Sequence, residues 1–357
     1  IPKTPLTPQM RSMSEAIASD IDRPDYIIRL NSNENPYGPS RVALKAIDAN
    51  MHRTNRYNLT GERKLAKVIA DINNLSPDHI TVGSGSGEIL NVAGMLAGMS
   101  DGSVVCVDPT FQALLRYANK AGAEIIRIPV KKNLEADLNE LRKAVRKDTK
   151  LVYIVNPNNP IPNIIDGKKM REFVLEMAES RLVFVDEAYH EYVESPNYLS
   201  MLGLVQEGHK NIIVSRTASK IHGLAGLRIG FGFGHPDLIT DMNWRKTGET
   251  TVLSIEAAIA SYQDDEFKNF SIRQNKESRR IIKEMCEKLN LKCIKSDTNF
   301  TLIKTGVNNK KFQGEMEKYG ILTGRDFPLI NDSWSRISMS KPEEMKYFVQ
   351  IYERLFA

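Results

Sequence analysis

Between residues 80 and 235 the chain alternates short apolar runs with stretches of helical spacing. The apolar runs are Ile80–Val82, Ser103–Val107, Glu124–Ile128, Leu151–Val155, Leu182–Val185, Asn211–Ser215 and Ile229–Phe233. Several are continuous, without the polar alternation of a half-exposed strand, as expected for strands covered on both faces. The segments between them, such as Leu138–Lys147 and Lys168–Glu179, carry apolar residues at helical spacing. Strand–helix alternation of this kind predicts the α/β class, with a mostly parallel sheet covered by helices.

After about residue 250 the pattern changes. Phe267–Asn290 predicts one long amphipathic helix, with Phe270, Ile281, Ile282, Met285 and Leu289 near one stripe. Short strands are expected at Lys292–Ile294, Thr301–Ile303 and Ser335–Ser338, with helices near Lys310–Tyr319 and Glu343–Leu355. This reads as a smaller α+β module. Residues 1–25 are polar and proline-containing, and read as an arm with a short helix near Gln9–Ser19. A chain of 357 residues exceeds the usual ceiling for one hydrophobic core. The expected division is an arm and small-domain segment over 1–45, a large domain over 46–250 and a small C-terminal domain over 251–357. There are no internal repeats and no long flexible linker.

Composition narrows the function classes. Lys and Arg exceed Asp and Glu by five, spread along the chain rather than in blocks interleaved with aromatics. Nucleic acid is therefore not an expected partner. No apolar run reaches transmembrane length, so no membrane is expected either. Cys106, Cys286 and Cys293 lack zinc-ligand or redox-motif spacing. An odd, low cysteine count suits a reducing compartment, and the cytoplasm is the expected location. The chain begins at Ile1 rather than Met, which leaves a removed N-terminal signal open.

Four segments carry candidate chemistry. Gly83-Ser84-Gly85-Ser86-Gly87 follows a strand and opens a helix, where unpaired N–H groups and the helix dipole favour a phosphate. Asn156-Pro157-Asn158-Asn159-Pro160 follows another buried strand and reads as a turn whose Asn side chain could donate to a ligand. Asp186 ends the run Leu182–Val185, at the strand terminus where open α/β sheets bind ligands. It could cap a helix or pair with a protonated ring nitrogen. Ser219-Lys220 lies just past a strand and is followed by a glycine-containing stretch and Arg228. Alone, such a lysine reads as a solvated surface residue.

The order of these segments resembles the fold-type I enzymes of pyridoxal 5′-phosphate (PLP), aminotransferase class I/II, and is most similar to the histidinol-phosphate aminotransferase family. Leu30-Asn31-Ser32-Asn33-Glu34-Asn35-Pro36-Tyr37-Gly38-Pro39-Ser40 looks like that family's N-terminal signature. Asn55-Arg56-Tyr57, Pro109-Thr110-Phe111, Asp297-Thr298-Asn299-Phe300 and Ser335-Arg336-Ile337 fall where related motifs are expected. The resemblance covers nearly the whole chain. It implies a three-layer PLP-dependent transferase fold with a seven-stranded sheet, and an enzyme moving an amino group between a phosphorylated or aromatic amino acid and 2-oxoglutarate. A lyase, decarboxylase, racemase or cyclase on the same scaffold is the alternative.

The resemblance also implies roles. Lys220 would hold PLP as a Schiff base and shuttle a proton, and Asp186 would pair with the pyridinium. Asn159 and Tyr189 would bond the phenolic oxygen, and Phe111 would stack on the ring. The backbone of Ser86 and Gly87, with Ser219 and Arg228, would hold the phosphate. Tyr57 would reach the cofactor of a second subunit, implying a homodimer. Arg336 would clamp the substrate carboxylate, helped by Asn31, with Tyr37 and His222 also near substrate. His222 has a blander reading as a packed or capping histidine. The sequence departs from the family at Ile161-Pro162 after the Asn-Pro turn, at His222, at Lys246–Thr251 where a pocket motif is expected, and at Ser340.

Overall fold

The computed structural model describes residues 3–8, 10, 24–325, 327, 330 and 333–357. The helix expected near Gln9–Ser19 lies outside the described residues, apart from Met10.

The strands are, in chain order, β1 (Ile28–Leu30), β2 (Ile80–Ser84), β3 (Ser103–Asp108), β4 (Glu124–Pro129), β5 (Thr149–Val155), β6 (Leu182–Asp186), β7 (Ile212–Thr217), β8 (Ile229–Gly234), β9 (Phe300–Lys304), β10 (Ile321–Thr323) and β11 (Trp334–Ser338). Seven of them form the expected large sheet, in the order β2-β8-β7-β6-β5-β3-β4. β8 runs antiparallel to both β2 and β7, and the other pairings are parallel. β3 is buried at every position, whereas β4, at the sheet edge, is partly exposed throughout. Burial on both faces is why the central strands lack polar alternation.

Helices cover both faces of this sheet. Met170, Phe173 and Val174 of the helix Gly167–Ala178 pack with Val152, Ile154 and Val183 in one core. On the other face, Ile89 and Leu90 of Ser86–Gly98 pack with Val104, Tyr153 and Phe184. Ala43 of Arg41–Asn50 and Ile255, Ala257 and Ala258 of Val252–Tyr262 join the first of these cores. The apolar content of Val252–Tyr262 therefore serves the large sheet, beyond the change of texture near residue 250.

The remaining elements form a separate core. β1 pairs in parallel with β10, and β9 is antiparallel to β11. Ile28 and Leu30 are buried with Ile281, Ile282 and Met285 of the long helix Asp265–Lys288 and with Phe348 and Ile351 of the last helix, Pro342–Phe356. The first strand of the chain thus belongs with its last hundred residues. The strand expected at Lys292–Ile294 shortens to a bridge at Cys293 opposite Ile303. Beyond it the chain turns away, and Asp297 N donates to Pro162 O.

Candidate active site

The parallel strands deliver polar residues to one end of the sheet. Asp186 is the last residue of β6 and stands in register with Ser215 of β7, whose hydroxyl donates to Asp186 Oδ1 at 2.9 Å. Lys220 follows β7 by three residues. Both line a cavity of about 710 Å³ that also receives Ser86, Gly87, Phe111, Asn159, Tyr189, Ser219 and Arg228. Asn31 and Arg336 line it from the smaller core. Residues distant in sequence converge here because crossovers return each parallel strand with the same polarity.

Burial pushes the Asp186 carboxyl up to about 6, against the Ser215 and Ala188 hydrogen bonds and the charge of Lys220, which favour the carboxylate. A fully buried carboxylate without a cationic hydrogen-bond partner is costly. A protonated ring nitrogen is the partner that would offset that cost.

A second feature is an anion cradle. Gly85 takes φ +81° immediately before the helix Ser86–Gly98, whose first turn has no side-chain cap. A methyl group on Gly85 would stand 2.2 Å from Arg228 Nη2, so the guanidinium lies directly over the loop. Arg228 itself is left-handed, at φ 55°, and Nη1 donates to Ser219 Oγ at 3.4 Å. Free N–H groups, a hydroxyl and a guanidinium in one place suit a phosphate. Close backbone approach is built in: a Cβ on Gly230 of β8 would stand 2.0 Å from Ser86 N.

The third feature is Arg336, on β11. It is 6% exposed, and burial lowers its guanidinium to about 10, which leaves it charged at neutral pH. Nη1 donates to Asn159 Oδ1 at 2.8 Å and Nη2 to the Asn31 carbonyl at 2.6 Å. Nε is buried without a partner among the described residues. Asn159 also donates to Tyr189 Oη at 3.3 Å, so one amide links the phenol to the guanidinium.

Sequence reasoning passed over several residues of the cavity. Asn33, left-handed at φ 54°, donates from Nδ2 to Tyr189 Oη at 3.0 Å. Asn35 does not line the cavity but ties the same segment to the lysine loop by donating to the Ile221 carbonyl at 2.7 Å. The asparagine run in the quoted signature was the available signal for both. Arg325 and Thr323 also line the cavity, and nothing in their sequence surroundings marked them.

Three predicted residues stand elsewhere. His222 points away from the cavity: Nε2 meets Glu191 Oε1 and Nδ1 meets Ser261 Oγ, both at 3.0 Å, and the ring stacks on Tyr262 at 3.8 Å. Contact between His222 and substrate is thereby corrected to a packed, paired histidine. Tyr37 is also off the cavity, donating to Gln274 Oε1 at 2.9 Å and packing edge-on against Phe270. Tyr57 is 86% exposed and does not line the cavity within one chain. The divergent segment Lys246–Thr251 is likewise outside it. Glu62 accepts from Lys246 and Thr250, and Glu88 from the Thr247 and Gly248 amides.

The aminotransferase class I and II family profile matches residues 25–351. The chain belongs to the class I and II aminotransferases. It is 30% identical over 321 residues to a histidinol-phosphate aminotransferase of Halalkalibacterium halodurans, covering 90% of this chain and 86% of that protein. It is 31% identical over 331 residues to histidinol-phosphate aminotransferase 1 of Nitrosococcus oceani, covering 91% and 88%. The crystal structure of histidinol-phosphate aminotransferase from Sinorhizobium meliloti in complex with pyridoxal-5′-phosphate superposes with a TM-score of 0.83 at 24% identity, over 98% of each chain. The fold-type I architecture expected from the sequence is the one observed. The enzyme is a PLP-dependent aminotransferase, and its cavity fits that cofactor. A buried carboxylate (Asp186), an uncapped helix start beside a guanidinium (Arg228) and a lysine amine (Lys220) line one cavity, and groups of these kinds suit a protonated ring nitrogen, a phosphate and an aldehyde. Among the described residues, no helix is long and apolar enough to cross a membrane.

The state of Asp186 makes one test available without substrate. Its folded-state value is raised from 3.8 to about 6. At Asp186 the folded apoenzyme therefore holds a proton that the unfolded chain has lost between about pH 4 and pH 6, and this group's contribution to stability falls as pH rises through that window, whereas buried His190, lowered to about 4, contributes in the opposite sense. The loss amounts to about 3 kcal/mol. Thermal melts should show the midpoint of Asp186→Asn apoenzyme gaining on that of wild type as pH rises from 4 to 6, because an amide carries no charge to bury. Equal pH slopes in the two proteins would count against a strained carboxylate.

Proposed function

We propose that this aminotransferase exchanges an amino group between a phosphorylated amino compound, histidinol phosphate foremost, and 2-oxoglutarate. The supporting observation is the pair Arg325 and Arg336. Both line the same cavity, they lie close enough for Arg325 to depress the Arg336 guanidinium, and Arg336 Nε has no partner among the described residues. A buried guanidinium, Arg336, beside a second, exposed one, Arg325, calls for an anion. Histidinol phosphate carries a phosphate where amino acids carry a carboxylate, and 2-oxoglutarate carries two carboxylates. One arginine pair can thus serve both halves of the reaction.

In this reading PLP, when bound, supplies an electron sink conjugated to the substrate nitrogen. Lys220 provides the amine that holds it, and Nζ carries the proton to and from the substrate Cα. Asp186 keeps its charge against the ring nitrogen. Tyr189, Asn159 and Asn33 form a hydrogen-bonded set at the phenolic oxygen. Phe111 covers the ring face. Ser86, Gly87, Ser219 and Arg228 hold the phosphate. Arg336 and Asn31 hold the substrate anion.

We further infer a homodimer. Tyr57 and Leu59, 86% and 91% exposed, present large apolar side chains on one short segment. Burial of such a pair against a second copy is favourable. Free thiols throughout suit the cytoplasm.

The deciding experiment measures glutamate formed from 2-oxoglutarate with histidinol phosphate, phenylalanine or arginine as donor. The proposal expects the highest kcat/KM with histidinol phosphate. Release of ammonia or carbon dioxide without glutamate would replace transamination by another PLP chemistry. The cradle has its own test. Gly230→Ala should weaken PLP binding about tenfold or more, through displacement of the Ser86 amide. Equilibrium dialysis of PLP against the variant checks it, and unchanged affinity would remove the amide from the phosphate site.

A further inference from the structure

Away from the active site, the elements that follow residue 264 enclose a second pocket of about 650 Å³. Cys286 and Cys293 both line it, although they stand on different elements. Cys286 sits near the end of the helix Asp265–Lys288. The Leu291 amide donates back to the Cys286 carbonyl at 2.8 Å, which folds the following chain over the helix end. Cys293 is then held opposite Ile303 of β9. Its Sγ stands 3.3 Å from Thr301 Oγ1 and faces the Cys286 thiol. The two thiols differ in access: Cys286 is 2% exposed, and Cys293 is only half-buried.

We propose that Cys286 and Cys293 form a hydroperoxide-sensitive modification site, with Cys293 as the attacking thiol and Cys286 as the resolving one. The site is independent of the PLP chemistry and of the substrate reading. Its logic is the usual one for reactive cysteines: a stabilised thiolate, partial exposure and a second thiol within reach. The Cys286 thiol beside it holds the Cys293 thiol below the ordinary range against the effect of burial, while the Thr301 hydroxyl, which donates to the Ile294 carbonyl at 2.8 Å, stands 3.3 Å from the sulfur. The same contact pushes Cys286 well above the ordinary thiol range, so Cys286 keeps its proton. The charged groups around the pocket are Lys276, Arg279, Arg280, Lys283, Lys295 and Glu287, and the first four are paired with Glu194, Glu277, Glu284 and Glu287. The third cysteine, Cys106, is buried on β3, and burial pushes its thiol up to about 12.

The chemistry balances with one equivalent of hydroperoxide. The Cys293 thiolate attacks the peroxide oxygen, an S–O bond forms, the O–O bond breaks, and the departing hydroxide takes up a proton. The Cys286 sulfur then attacks the Cys293 sulfur, an S–S bond forms, and the Cys293 hydroxyl leaves with the Cys286 proton as water. Two thiols are oxidised and one peroxide is reduced to two waters. The bond would fasten the end of the long helix to the margin of β9, whose Leu302 is paired with Arg336.

The test exposes the full-length, PLP-loaded enzyme to hydrogen peroxide and follows intact mass and peptide maps. Wild type should lose about 2 Da as a Cys286–Cys293 disulfide, reversed by dithiothreitol. C286S should instead gain about 16 Da at Cys293, trapped by dimedone. C293S should oxidise at least about tenfold more slowly. Both serine variants keep the size of the side chain, and unchanged aminotransferase activity before peroxide verifies that each is folded. Oxidation first at Cys106 or Cys286, or a wild-type product that stops at Cys293 without the disulfide, would overturn the proposal. So would wild type and C293S losing thiols at the same rate.

Discussion

Lys220→Ala is expected to remove the visible absorbance of the lysine-bound cofactor and to lower kcat by at least about 10⁴-fold, the upper range for losing a positioned acid–base group, while the protein stays folded. The expectation rests on position. Lys220 is in the cavity with Asp186 and Tyr189, and its Nζ lies 5.6 Å from the centre of the Tyr189 ring. Its loop is anchored independently of the side chain, by Asn35 Nδ2 donating to the Ile221 carbonyl and by Gly223 N donating to the Lys220 carbonyl. Removing the amine should therefore leave the cavity walls standing. PLP should still bind to the variant through the Ser86–Gly87 and Arg228 cradle, and equilibrium dialysis can read that binding directly. An alanine variant that keeps both the visible band and measurable turnover would place the covalent attachment on another amine.

The large sheet was legible because its central strands are buried on both faces, and short continuous apolar runs between turn residues mark such strands. The runs stop short of the chemistry for the same reason. β2, β3, β6 and β7 end on Ser84, Asp108, Asp186 and Thr217, polar residues at the sheet terminus that a hydrophobic pattern leaves out. The Val252–Tyr262 helix shows another limit. Its apolar residues announce burial but do not say which core receives them. At the site, Lys220, Asp186, Asn159, Arg228 and Arg336 were found through motif order and converge in one cavity. His222 and Tyr37 do not, and chain proximity was the misleading signal. Gly223, at φ 67°, turns the loop after His222, and the ring is captured by Glu191 and Tyr262 on the far side. Arg325 was missed because its place in the cavity comes from tertiary contact rather than from a recognisable local motif.

Arg336→Ala should raise the half-saturating concentration of 2-oxoglutarate by roughly 150-fold, equivalent to about 3 kcal/mol for removing one partner of a buried ion pair. The guanidinium is held rigidly before any substrate arrives. Asn159 and the Asn31 carbonyl take one hydrogen bond each, and the Phe300 and Phe327 rings lie 5.5 and 5.3 Å from its central carbon. Preorganisation of this kind lowers the entropy cost of binding an anion. Removing Arg336 should also free Asn159, which would disturb the hydrogen bond to Tyr189 Oη and lower kcat as well as raise KM. Arg336→Lys separates the two effects. A lysine restores the charge but not the planar fork, so it should recover part of the binding and little of the Asn159 alignment. Arg325→Ala should act differently, weakening the substrate anion while leaving the Asn159–Tyr189 link intact. If Arg336→Ala left 2-oxoglutarate saturation unchanged while Arg325→Ala raised it a hundredfold, the anion-holding role would belong to Arg325, with Arg336 serving to fix Asn159.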